Sequence, residues 1–202
     1  MQRTRRTPLS ESQQPESVEP AVEQPAGSDV PEPASDDAGG RRIPLLFVLV
    51  AAAVLALDQI TKAIVLHRLE PGVPKDLIGP VLRFHLVKNP GAAFSLGTGY
   101  TVVLTVIAVG VAVTVVHMSR RLRSTGWTIA FGLLLGGALG NLSDRFFREP
   151  APLRGHVVDF LEFPHWPIFN LADTAIVTAA CLMILQTLRG VGLDGSREHR
   201  GR

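Results

Sequence analysis

Four nearly continuous apolar stretches, separated by polar connections, dominate the chain. They run from about Ile43 to Leu66, Thr101 to Met118, Trp127 to Leu142 and Phe169 to Leu188. Each approaches the ~20 residues an α-helix needs to cross a ~30 Å hydrocarbon core. The pattern predicts an α-helical polytopic membrane protein with four transmembrane helices. Polar residues interrupt the runs mainly at their ends. Asp58 and Lys62 fall late in the first, Asn141 and Asp144 close the third, and Asn170 and Asp173 open the fourth. Threaded alternately through a membrane, all six reach the same side. Charged and amide groups are costly beside hydrocarbon, so by default they mark function.

The connections differ in character. The first, from about His67 to Gly99, alternates at Leu82-Arg83-Phe84-His85-Leu86, the period of a strand with one buried face. Asn89-Pro90-Gly91 then supplies turn chemistry. A small sheet lying on the membrane surface is expected there. The second outer connection, from about Phe146 to Ile168, holds Asp159 within Val157-Val158-Asp159-Phe160-Leu161. The short connection between spans two and three carries Arg120, Arg121 and Arg123. Arg41 and Arg42 precede the first span and Arg189 follows the fourth. The positive-inside rule then places both termini and this connection in the cytoplasm, although Lys62, Arg68, Lys75, Arg83, Lys88, Arg145, Arg148 and Arg154 on the other side dilute the bias. Arg41-Arg42 followed by Ile43 to Leu57 also resembles the start of a signal peptide. The apolar pattern resumes through Ala63 to Leu66 and three more spans follow, so a first membrane helix is the better reading.

Composition divides the chain. Residues 1–40 are polar and Pro-rich, with three Arg against eight Asp or Glu. Such a segment cannot bury enough surface to offset its ordering entropy and is expected to be a disordered acidic tail. Residues 41–190 form the membrane domain, and 191–202 a polar C-terminal tail. Since the whole chain is formally +2, the membrane domain is basic, which suits anionic membrane lipids as partners. No basic-aromatic pattern of a base-reading module is present, so no nucleic acid is expected as a partner. The single cysteine, Cys181, rules out a disulfide within the chain and reads as a small buried apolar residue.

Several groups could carry chemistry. Asp58 and Lys62 are four apart, share a helix face and can pair. Asn141, Asp144 and Arg145 share another face. The preceding Gly136, Gly137 and Gly140 read as close helix packing. Asn141 and Arg145, rich in donors, suit a polar ligand group; Arg145 could instead pair with Asp144 or a lipid headgroup. Asn170 and Asp173 face the same way at the start of a helix, where an acid also complements the dipole. Asp159 lies fourteen positions before Asp173, across a connection short enough to unite them. Two carboxylates in contact share one proton, so one can activate water while the other donates to a carbonyl oxygen. That chemistry needs neither a metal, a cofactor nor a nucleophilic side chain. Zinc on His156, Asp159 and His165 lacks an H-E-x-x-H motif. A serine–lysine pair of Ser95 or Ser143 with Lys62 has no supporting spacing. Glu162 would face away from Asp159 in extended chain. A proton- or ion-coupled transporter could use the same acids as a relay, but a transport path needs polar groups at the midplane and beyond.

Five blocks, in order, carry a resemblance: Asp58-Gln59-Ile60-Thr61-Lys62; Asn89-Pro90-Gly91-Ala92-Ala93-Phe94; Gly137-Ala138-Leu139-Gly140-Asn141-Leu142-Ser143-Asp144-Arg145; Val157-Val158-Asp159-Phe160; and Phe169-Asn170-Leu171-Ala172-Asp173. From Ile43 to Leu188 the chain resembles the lipoprotein signal peptidases, bacterial signal peptidase II. The resemblance implies four membrane helices with an extracytoplasmic β-cradle formed by the first outer connection. It implies an aspartyl endopeptidase of the bacterial plasma membrane that cleaves diacylglyceryl-modified prolipoproteins before the lipidated cysteine. The family's catalytic aspartates fall on Asp159 and Asp173. Its supporting residues fall on Asp58, Lys62, Asn89, Gly91, Asn141, Asp144, Arg145 and Asn170. Ser143 stands where many members carry an apolar residue.

Overall fold

The computed structural model describes residues 37–91 and 101–197. Most of the acidic N-terminal segment, the Ala92-Ala93-Phe94 block, Ser95 and the last five residues lie outside them. In chain order the elements are α1 (Asp37–Arg68), β1 (Lys75–Ile78), β2 (Leu82–Asn89), α2 (Thr101–Ser119), α3 (Thr125–Phe147), β3 (Val157–Glu162) and α4 (Leu171–Leu188). All four helices are long and apolar enough to cross a membrane. Two bounds depart from the sequence pattern. Helix α1 begins at Asp37, inside the expected tail, and α3 continues to Phe147, beyond the polar Asn141–Arg145 stretch. Hydropathy marks where hydrocarbon ends, whereas backbone hydrogen bonding carries a helix on into the polar layer.

Helix α3 is the centre of the bundle and packs on α1, α4 and α2. Its glycines make this possible, as the sequence suggested. A methyl group on Gly136 would sit 2.7 Å from the carbonyl oxygen of Ala51 in α1, and one on Gly137 2.6 Å from that of Ala172 in α4. Backbones that close cannot tolerate a side chain between them. Where helices face outward they present bare aliphatic residues such as Val106, Val113, Val177 and Ile184. In water these would be unfavourable; against lipid tails they carry no penalty. Cys181 falls on this outward surface and is exposed, which corrects the expectation of a buried thiol. In a membrane, an apolar surrounding does not require a protein interior.

A three-stranded antiparallel sheet, ordered β1-β2-β3, joins the α1–α2 and α3–α4 connections. The first connection alone therefore does not make the sheet, because β3 comes from the second. Val87 sits opposite Asp159, and Asn89 opposite Val157. Leu86, Val158 and Phe160 pack on Val65 at the end of α1, which ties the sheet to the bundle. At the other end, the segment after α4 folds back. Trp127 Nε1 donates to Val191 O at 2.7 Å, and the Arg123 and Ser124 amides donate to Leu193 O. Val191 and Leu193, within the expected polar C-terminal tail, thus brace the start of α3.

Candidate active site

Asp159 is placed by β3 and is 2% exposed. Each of its oxygens accepts one amide hydrogen bond. Asn89 Nδ2 donates to Oδ2 at 2.8 Å and Asn170 Nδ2 to Oδ1 at 2.7 Å. The turn after β2 sets the orientation of Asn89. Its Oδ1 takes the Gly91 amide at 2.8 Å, leaving Nδ2 to face Asp159. Gly91 is at φ 109°, and a Cβ there would meet Leu104 at 2.7 Å. The positive φ strains any residue with a side chain, and the Leu104 methyl would also have to shift.

Asp173 is placed by the first turn of α4. Asn170 is the N-cap. It accepts the Asp173 amide at 3.0 Å, and Asp173 Oδ2 accepts the Asn170 amide at 3.2 Å, a reciprocal capping box. Asp173 thus complements the helix N-terminus and also faces the cavity. Asn141 Nδ2 donates to its other oxygen, Oδ1, at 2.7 Å. Asn170 reaches both acids, Asp159 through its side-chain amide and Asp173 through its backbone amide.

Behind these groups lies a fully buried charged layer. Lys62 Nζ lies 2.8 Å from Asp58 Oδ2, 2.8 Å from Asp144 Oδ2 and 3.2 Å from Asn141 Oδ1. All three ammonium hydrogens have acceptors, which offsets the cost of burying the charge. Asp58 Oδ1 accepts the Ala172 amide at 3.0 Å, so α1 supplies an acid to the start of α4. Asp144 also accepts from the Val158 amide at 3.1 Å and from Arg148 Nε at 2.5 Å, tying α3 to β3. Arg145, for which the sequence offers pairing with Asp144 as an alternative to holding a polar ligand group, makes no ion pair with it. Its Nη1 is buried without a partner among the described residues, and the side chain lines the cavity.

The cavity is about 290 Å³. Asn89, Gly91, Asn141, Arg145, Asp159 and Asp173 line it. Asp58, Lys62, Asp144 and Asn170 stand behind them, 0 to 1% exposed. Sequence reasoning missed the opposite wall, Trp166 to Phe169, and two supporting side chains. Gln59 donates to Asp58 and to Gly140 O, both at 3.1 Å; Arg148 is the other. Gln59 sits beside Asp58 in the first motif block, the one signal that could have flagged it. His156 and His165 do not reach this cavity. His156 lines a separate hollow with Lys88 and Arg148, and His165 is exposed. Glu162 turns away from Asp159 to His85, at 3.2 Å, and Arg83, at 3.4 Å.

Electrostatics favour a retained proton. Burial pushes Asp159 up to about 7, and the neighbouring Asp173 charge adds to the rise; hydrogen bonds from Asn89 and Asn170 and the Lys62 charge oppose it. Two carboxyls on one small cavity, one of them reluctant to ionise, can divide acid and base roles.

A family model described as signal peptidase (SPase) II matches residues 50–189. Lipoprotein signal peptidases from Rhodococcus jostii (strain RHA1) and Mycobacterium avium (strain 104) are each 51% identical to the chain. The match covers 86% of the chain and 85% of the first relative, and 85% and 92% respectively for the second. That of Mycobacterium tuberculosis (strain ATCC 25618 / H37Rv) is 47% identical over 182 residues. Among solved structures, a bacterial membrane enzyme determined in meso at 2.3 Å superposes with a TM-score of 0.65 at 27% identity, covering 77% of this chain and 93% of that one. Another, at 1.9 Å, gives 0.63 and 29%, covering 71% and 92%.

Proposed function

The chain belongs to the signal peptidase II family, and from that premise we propose how its residues cleave a prolipoprotein and where the substrate lies. The protein is an aspartic peptidase with four membrane spans, of the bacterial plasma membrane. Its substrates are prolipoproteins; in our reading they carry diacylglycerol on the cysteine that follows the scissile bond. The observation that carries the catalytic reading is the presence of Asp159 and Asp173 on one cavity, linked by Asn170.

In this mechanism Asp159 holds the shared proton at rest. It is the deeper acid, and burial raises it to about 7. Asp173 is the base, since the α4 N-terminus favours a charged carboxylate. A water bound between them loses a proton to Asp173 as its oxygen adds to the scissile carbonyl carbon. Asp159 gives its proton to the carbonyl oxygen. When the C–N bond breaks, Asp173 returns the proton to the departing cysteine amine and Asp159 recovers its own from the new carboxyl group. The Nη1 of Arg145, without a partner among the described residues, is available to a substrate carbonyl, and its charge steadies the oxygen in the transition state. Lipid arms held between the helices fix the scissile bond beside the acids, which makes attack effectively intramolecular. The Arg120–Arg123 connection and both termini lie in the cytoplasm, and the cavity with its sheet faces outward. Residues 1–40 and 191–202 flank the peptidase domain.

A relay through the membrane is disfavoured by what lies below the cavity. There α1 and α3 offer Phe47, Ala51, Gly132 and Leu135. The direct test is incubation of the purified protein with a diacylglyceryl-modified prolipoprotein, read by gel shift. A faster-migrating mature lipoprotein is expected, with the unlipidated precursor left intact. Cleavage of both forms alike would remove the lipid from the mechanism.

A further inference from the structure

At the end of the bundle away from the cavity, α1 and α2 both pack on α3 but scarcely on each other. The furrow between them has a volume of about 630 Å³. Its walls are Pro44, Phe47 and Val48 of α1 and Val116 of α2, and its rim carries Arg120 and Arg123. It is a separate site. Val116 lies about 18 Å along α2 from Leu104, which lines the catalytic cavity, at ~1.5 Å rise per residue. We propose that this furrow binds an anionic glycerophospholipid, with an acyl chain along the apolar walls and the phosphate on Arg120 and Arg123.

Three features carry the assignment. First, the furrow joins an aliphatic trough to two guanidiniums at its mouth. That is the amphipathic order of a phospholipid standing in one leaflet, and among the described residues no acidic one lines it. Second, the backbone that carries the two arginines is held in place. Leu122 between them is buried in the core, while Arg120 and Arg123 are exposed. The turn is closed by Arg121 N to Met118 O and Leu122 N to Ser119 O, and fastened by Arg123 N to Leu193 O at 2.9 Å. With that backbone fixed, only side-chain freedom is lost on binding. Third, paired guanidiniums present planar forks that match phosphate oxygens.

The test uses the full chain in detergent, mixed with equal amounts of phosphatidylglycerol and phosphatidylcholine of the same acyl chains. Native mass spectrometry reads the retained lipid and thermal unfolding reads stabilisation. The wild type should retain phosphatidylglycerol about tenfold over phosphatidylcholine and melt higher with it. The Arg120→Gln, Arg123→Gln double variant should lose the preference. Val48→Trp, which fills the trough and keeps both charges, should lose the lipid itself. Arg189→Gln, a basic residue at the same end but off the furrow, should change neither reading. Equal retention of the two lipids overturns the proposal. So does a preference that survives the double variant, or one that Arg189→Gln lowers as much. A preference gained only when the acids before Asp37 are replaced by amides also overturns it, because the arginines then belong to the chain's own acidic segment.

Discussion

Lys62 Nζ stands 3.2 Å from Asn141 Oδ1, and this contact decides which way the Asn141 amide faces. With Oδ1 taken by Lys62 and by Asn170 Nδ2, the Asn141 Nδ2 is left to donate to Asp173 at 2.7 Å. A charge that never reaches the cavity thereby orients a group that does. Lys62→Met should leave buried Asp58 without its cation and Asp144 with Arg148 alone, at a cost of about 3–5 kcal/mol. Thermal unfolding should show a large loss of stability together with lost cleavage. The double variant Asp58→Asn, Lys62→Met should regain part of the stability without the activity. A fully active Lys62→Met would show that the buried layer does not orient the site.

Asp159→Asn and Asp173→Asn should each reduce cleavage at least about 10³-fold, in the range that positioned acid–base groups supply. Both variants should remain folded in the membrane. An asparagine at 173 can still accept the Asn170 amide, and one at 159 no longer has an unfavourable ionised form. The check is turnover measured beside melting temperature for each variant. Near-normal turnover in either removes that residue from the chemistry.

Asp159 also predicts how stability follows pH. Its folded value is about 7, against about 4 for an unfolded aspartate. Between those values the folded chain holds a proton that the unfolded chain has released. Stability from this group is therefore complete below about pH 4 and declines as pH rises toward 7. The melting temperature of the wild type, relative to Asp159→Asn, should fall across that window. Cleavage should decline above about pH 7 as the shared proton leaves the pair. A difference between the two proteins that does not vary with pH would contradict the assignment.

Close packing at α3 gives a steric test with its own control. A methyl group at Gly140 would lie 2.6 Å from Asp58 Oδ2, so Gly140→Ala pushes on the acid that holds the start of α4. A loss of about 1–3 kcal/mol is expected from overpacking. A methyl group at Gly110 in α2 would meet nothing within 4 Å. Gly110→Ala should be neutral or slightly stabilising. Equal melting temperatures for both variants would mean that α3 can shift to make room.

The four spans were legible because lipid demands long apolar runs. The pairing of Asp58 with Lys62 was legible because helical spacing fixes neighbours. Strand β3 was harder. Val157, Val158, Asp159 and Phe160 are all buried, so the alternation that announces a half-exposed strand is missing. Arg148 escaped notice because the third span was ended at its polar residues, one helical turn before the arginine that pairs with Asp144. Trp166 gave no pattern at all. It sits in a loop, 64% exposed, and only the folded chain shows that the loop walls the cavity.

The capping box has a practical consequence for anyone dissecting the enzyme. At position 173 the usual truncation to alanine confounds two losses, because it silences the carboxylate and unfastens the first turn of a membrane span together. At position 159, where a strand rather than a helix terminus carries the acid, the same truncation separates them. Inactive variants meant to trap a bound precursor are best built there.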